Sequence, residues 1–133
     1  MSAFLDTNVI VRHLTGVPDE MAARATAYLG TESELFLTDL VLAETVYVLE
    51  SFYHSPRAQL ADAIRSLLAF RSVVCVDAAL LLRAAEVYEI NRLDFAEAYQ
   101  VASAETTGIK RVASFDRSID RVRTVDRVEP RGI

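Results

Sequence analysis

Cysteine is nearly absent from this 133-residue chain. The single Cys75 has no partner within the chain, which excludes a disulfide-framed module and makes a reducing compartment, the cytoplasm, the expected location. Four glycines and three prolines leave no Gly/Ser linker and no glycine-rich phosphate loop, so the usual nucleotide-binding fingerprints are excluded. No stretch free of Asp, Glu, Lys and Arg exceeds seven residues, which leaves no room for a membrane-spanning helix. No basic region precedes an apolar run at the start, so no signal peptide is expected. The two histidines, His13 and His54, stand apart from each other and from Cys75, so zinc spacing is missing and a Ser-His-Asp triad has no support. With 19 acids against 14 bases, the net charge of −5 excludes binding of nucleic acid by an all-round basic surface.

What is present is an apolar chain, 52% hydrophobic, long enough for one domain with a self-sufficient core. A single domain over residues 1–133 is therefore expected. Thirteen of the fourteen bases are arginine, and seven of the fourteen lie between Lys110 and Arg131. Arginine suits forked contacts to phosphate or carboxylate, although a solvated face would look the same. A mean hydropathy of +0.22 suggests hydrophobic surface that a partner covers, or simply a well-filled core.

Short apolar runs alternate with helical stretches. Strands are expected at Ala3-Phe4-Leu5, Leu35-Phe36-Leu37, Val73 to Val76 and Val112 to Phe115, with an edge strand within Val122 to Val128. Helices are expected from Asn8 to Leu14 with Gly16 as stop, from Pro18 to Leu29, and from Thr38 to Tyr53. Further helices run from a Ser55-Pro56 start to Phe70, from Ala78 to Ile90, and from Asp94 to Thr107 with Gly108 as stop. Strands separated by helices predict an α/β fold, helix-rich, with a short parallel sheet flanked by helices on both faces.

In such a sheet, ligands collect beyond the carboxyl ends of the strands. Asp6 follows the first strand and Asp116 the last clear one, although one acid after a strand is commonly only a turn former or cap. Glu44 is the only charge within Leu40 to Leu49, so the helix is expected to be buried nearly all round and Glu44 to be paired, protonated or bound to a cation. Asp94 and Glu97 lie three apart on one helix face, which fits either a capping box or a pair of ligands. Acids from four segments on one edge favour a hard divalent cation, Mg²⁺ or Mn²⁺.

Asp6-Thr7-Asn8 after the first strand, Glu44 in the third helix, and Ser114-Phe115-Asp116-Arg117 after a later strand together resemble the PIN-domain family. In length and layout the chain is similar to the VapC-type toxin ribonucleases of toxin–antitoxin pairs. The resemblance runs from Phe4 to about Val128. It implies a PIN-like three-layer fold and a metal site of Asp6, Glu44, an acid from the Asp94-to-Glu97 segment, and Asp116. Asn8 and Ser114 would support the site. Where many relatives read Asp-Phe-Ala-Asp-Ala, this chain reads Asp94-Phe95-Ala96-Glu97-Ala98. Either Asp94 becomes the principal ligand of that pair, or Glu97 ligates with a longer arm.

The resemblance implies metal-assisted hydrolysis of an RNA phosphodiester with one or two ions. Arg12 and Arg117 are the candidate phosphate contacts by adjacency. It further implies a cognate VapB-type antitoxin, a homodimer face and no membrane attachment. The alternatives are a PIN nuclease of RNA processing or decay, and a catalytically silent PIN-like binding module. A phosphoryl-accepting receiver domain also carries acids at strand ends. It needs a lysine after a late strand, however, and the only lysine, Lys110, precedes its strand.

Overall fold

The computed structural model describes residues 1–31 and 33–132; Glu32 and Ile133 lie outside the described residues. The chain divides into two compact units, the first Met1–Ala78 and the second beginning at Ala79.

The first unit carries strands β1 (Ser2–Phe4), β2 (Glu34–Phe36) and β3 (Val73–Val74), which pair in parallel in the order β1-β2-β3. The register sets Phe4 against Phe36 and Phe36 against Val74. Backbone bonds from Leu5 to Phe36 and from Leu37 to Val74, both 2.9 Å, carry the ladder one residue past the strands. β3 is shorter than expected, and Val76 is fully exposed rather than paired.

Helix α1 (Thr7–Thr15) buries Thr7, Ile10 and Val11, the i, i+3, i+4 face. It stops at Gly16, whose φ of 76° is the left-handed conformation that glycine adopts without a Cβ penalty. Helix α2 (Asp19–Leu29) buries Ala22, Ala25 and Leu29. Pro18 is its cap, in extended conformation, rather than its first helical residue. The same shift applies to α4 (Arg57–Leu68), where Pro56 takes the capping position and no side chain caps the end, so Ser55 does not serve as expected. In both cases proline's fixed φ suits the approach to a helix as well as its first turn. Between them, α3 (Asp39–Tyr53) is capped by Thr38, whose hydroxyl accepts from the Val41 N–H at 3.2 Å.

The second unit pairs β4 (Arg111–Ala113) with β5 (Asp126–Val128), again in parallel. The edge strand is thus only the end of the Val122 to Val128 segment, and a 3₁₀ turn at Arg117–Arg121 lies between the two strands. Helices α5 (Ala78–Ile90) and α6 (Phe95–Thr107) supply the buried Leu81, Ala84, Tyr88, Phe95, Ala98 and Val101. Tyr88 and Phe95 meet edge-on, with ring centres 5.9 Å apart. Gly108, at φ 77°, ends α6 as expected. Arg83 grips Glu105 with a fork of two hydrogen bonds, each 2.8 Å, and the Thr124 hydroxyl donates to the same carboxylate.

Among the described residues the buried polar side chains are three hydroxyls, Thr7, Thr45 and Ser72. Thr45 donates to the Val41 carbonyl at 2.8 Å and Ser72 to the Leu29 carbonyl at 2.6 Å, so neither is left unsatisfied. The fold is α/β, with short parallel strands and six helices among the described residues.

Candidate active site

In the first unit, Asp6 follows the β1 ladder and caps α1 with extended φ and ψ, yet its side chain makes no capping hydrogen bond. An exposed carboxylate at a helix start, excused from capping, is available to a ligand. The next residue, Thr7, is buried, and its hydroxyl donates to the carboxylate of Glu44 on α3. Glu44 is thereby held at the residue adjacent to Asp6.

Glu44 itself corrects the sequence-based expectation, because it is exposed. Helix α3 buries only Leu42, Thr45, Val46 and Leu49, while Leu40 and Tyr47 stand 80% and 64% exposed. Apolar content overstated burial here, since one face of the helix is apolar and open. Glu44 therefore needs no cation to compensate burial; its standing rests on the Thr7 contact beside Asp6. Asn8, exposed in the first turn of α1, makes no side-chain hydrogen bond among the described residues, and Arg12 lies one turn further on.

In the second unit, Asp94 occupies the capping position of α6 but makes no capping bond, so the capping-box alternative is not realised. Glu97 turns instead to the segment after β4. It accepts a 3.0 Å hydrogen bond from the Ser118 hydroxyl and contacts the carboxyl of Asp116. Asp116 caps the 3₁₀ turn by accepting from the Ser118 N–H at 2.9 Å. Ser114 supports it from the other side, its hydroxyl accepting from the Asp116 N–H at 2.9 Å.

Partial burial raises the Glu97 carboxyl above the ordinary range, and Asp116 and Asp94 raise it further by hydrogen bonding and like charge. Asp116 moves oppositely, down to about 2, chiefly through the hydrogen bond from Glu97, with Ser118 and the charge of Arg121 assisting. Of the two, Glu97 is the stronger base and Asp116 the stronger acid. Arg121, which also donates to the Arg92 carbonyl at 2.8 Å, is the arginine whose field reaches Asp116. Arg117, named from sequence adjacency, is exposed.

Sequence reasoning missed Thr7, Ser118 and Arg121. Thr7 was visible only as the middle of Asp-Thr-Asn. Ser118, two residues after Asp116, matched the spacing of a local side-chain turn.

Within neither unit do three or more His, Cys, Asp or Glu residues converge on one metal position among the described residues. The donor chemistry nevertheless fits a hard cation. Every candidate is a carboxylate, two are capping aspartates without a capping bond, and Glu97 and Asp116 are neighbouring carboxyls whose like charge a divalent ion would offset.

The fold is α/β, with exposed or half-buried acids at helix starts and after strands in both units. The PIN domain model matches residues 3–125, so the chain belongs to the PIN-domain family, whose members are generally nucleases and typically bind divalent metals. No curated protein matches the chain.

Proposed function

We propose that this protein is a metal-dependent endoribonuclease that hydrolyses RNA phosphodiesters. The observation that carries the reading is the acidic pair of Glu97 and Asp116, both held by Ser118, within a chain matched by the PIN model. The proposed carboxylate ligands for one or two Mg²⁺ or Mn²⁺ ions are, within the first unit, Asp6 and Glu44 and, within the second, Asp94, Glu97 and Asp116. Glu97 is the principal member of its segment, because it rather than Asp94 contacts Asp116. When bound, such ions polarise the scissile phosphate and lower the pKa of an attacking water.

The chain's own groups do the positioning. Thr7 fixes the rotamer of Glu44, and Ser118 fixes both members of the carboxyl pair. Asn8 and Ser114 are the supporting polar residues, and Arg12 and Arg117, with Arg121, hold the RNA backbone without reading sequence. We read the chain as a single domain because the PIN match spans both units.

We further propose the toxin role, with a VapB-type antitoxin and a homodimer, in the cytoplasm. Leu40 and Tyr47, apolar and open on α3, support a covered surface. Cleavage of a folded RNA pool by partner-free protein in Mg²⁺, Mn²⁺ or EDTA, beside Asp6→Ala, tests the activity. Metal-dependent cutting absent from the variant is expected; equal cutting by Asp6→Ala defeats the assignment. Copurification of a small inhibitory partner encoded beside this chain tests the toxin role. A partner-free protein that shows no inhibition by that neighbour's product returns it to general RNA processing.

A further inference from the structure

A groove of about 460 Å³ opens between α1 and α2, lined by Asn8, Val9, Arg12, Met21, Arg24 and Tyr28 over a floor of Ala25. Its size lies within the range of ligand clefts, about 300–1,000 Å³. Helical spacing builds it. Asn8 and Arg12 are one turn apart on α1, while Met21, Arg24, Ala25 and Tyr28 form the i, i+3, i+4, i+7 stripe of α2. Ala25 is buried and small, so the longer side chains on either side stand as walls.

Two features give the groove a ligand class. The first is charge. Arg12 makes no ion pair among the described residues. Arg24 has only Glu20, 3.8 Å away, in a pair whose members are 74% and 86% exposed, and such a contact yields readily to a phosphate. Asp19 and Glu20 are the acids of α2's first turn. The second is the ring. Tyr28 is 39% exposed and Met21 46% exposed, so the groove that Arg12 and Arg24 line also offers an accessible aromatic ring and an apolar thioether. A basic groove with an aromatic platform is the recurring way to hold unpaired nucleotides, because every base has a face to stack. Its two helices are also tied to each other. His13 on α1 and Thr26 on α2 are hydrogen-bonded at 2.8 Å, and the His13 ring packs edge-on against Phe70.

We propose that the α1–α2 groove holds an unpaired nucleotide next to the cleavage position, with Tyr28 stacking on its base and Arg12 and Arg24 taking its flanking phosphates. The groove starts at Asn8, in the same helical turn that follows Asp6, so a strand lying in it leads to that acid. The inference rests on the ribonuclease reading for the identity of the polymer. It adds that the substrate is single-stranded at this point.

The test is equilibrium binding, by fluorescence anisotropy, of short labelled single-stranded RNAs and of the same RNAs annealed as duplexes. Full-length protein is used in EDTA, so cleavage plays no part. Wild type is expected to prefer the single strands. Tyr28→Ala should weaken them about 5- to 150-fold, Tyr28→Phe should restore binding, and Arg24→Gln should lower the salt slope by about 0.7. Circular dichroism melting establishes that each variant is folded. Single-strand binding unchanged in folded Tyr28→Ala, or a wild-type preference for duplex, overturns the groove. So does a result in which these variants lose an acidic helical peptide yet keep RNA, since the groove would then dock a protein. A chain that cleaves RNA but binds it without Tyr28 defeats only this inference; one that binds through Tyr28 but never cleaves defeats only the catalytic reading.

Discussion

The hydroxyl of Thr7 donates to the carboxylate of Glu44, and the contact ties the first turn of α1 to the middle of α3 across 37 residues of sequence. Thr7 is buried while Glu44 is exposed, so the bond anchors a surface carboxylate to the edge of the core.

Thr7→Val keeps the shape and removes the donor. Stability should fall by about 1 kcal/mol, the usual net worth of one such bond. Cleavage should fall about tenfold, with a higher Mg²⁺ requirement, because the ligand geometry loosens. Thr7→Ser should recover both. Urea melts and Mg²⁺-dependence curves on the three proteins decide the matter; a Thr7→Val enzyme with normal Mg²⁺ dependence removes Thr7 from the site.

Asp6 should separate activity from stability. Its carboxylate makes no capping bond, so Asp6→Asn should leave stability within about 0.5 kcal/mol of wild type, below the roughly 1 kcal/mol of a working cap. Activity should be lost. Thermal melts beside a cleavage assay read both, and a large drop in melting temperature would show Asp6 to be structural.

The carboxyl pair has a signature in the metal-free protein. Asp116→Asn removes the like charge and replaces the carboxylate acceptor that help raise Glu97, leaving partial burial and the charge of Asp94, so the Glu97 titration should move down towards the ordinary range. Carboxyl ¹³C chemical shifts followed against pH measure this directly. An unmoved Glu97 would mean that burial and Asp94 set its proton affinity.

The Arg83–Glu105 fork should make the second unit acid-sensitive. The hydrogen bonds from Arg83 hold the Glu105 carboxyl below the ordinary glutamate range, so its contribution is complete above the unfolded-state value near 4.5 and is lost as pH falls through the depressed folded-state value. Glu105→Gln should cost about 1–2 kcal/mol at neutral pH, a charge-assisted contact discounted for partial exposure. That deficit should shrink in acid. Melts between pH 7 and pH 3 show whether wild type and variant converge.

Much of this was legible in the chain. Gly16 and Gly108 marked helix ends because left-handed backbone requires them, and the apolar runs at Ala3 and Leu35 marked the first two strands. The errors have specific causes. Counting apolar neighbours buried Glu44, yet a helix of mostly apolar residues can leave Leu40 and Tyr47 to solvent. The spacing of Asp94 and Glu97 left a capping box and a ligand pair both open, and only the structure shows Glu97 turning to Ser118 and Asp116. The roles of Thr7 and Ser118 depend on partners 37 and 21 residues away, which no local pattern encodes. The α1–α2 groove needed the packing of two helices before its stripe had a meaning.

The three buried hydroxyls have a practical consequence for enzymology. Among the described residues no carboxylate, histidine, cysteine, lysine or arginine is fully buried, so the interior contains nothing that gains or loses charge near neutral pH. Mild acid, base or chelator therefore acts on exposed and half-buried groups, such as His13 between α1 and α2, the Arg83–Glu105 fork and the acidic clusters, rather than on the core. A pH profile of this protein's activity reports the site together with those half-buried contacts, and a melt at each pH separates the two.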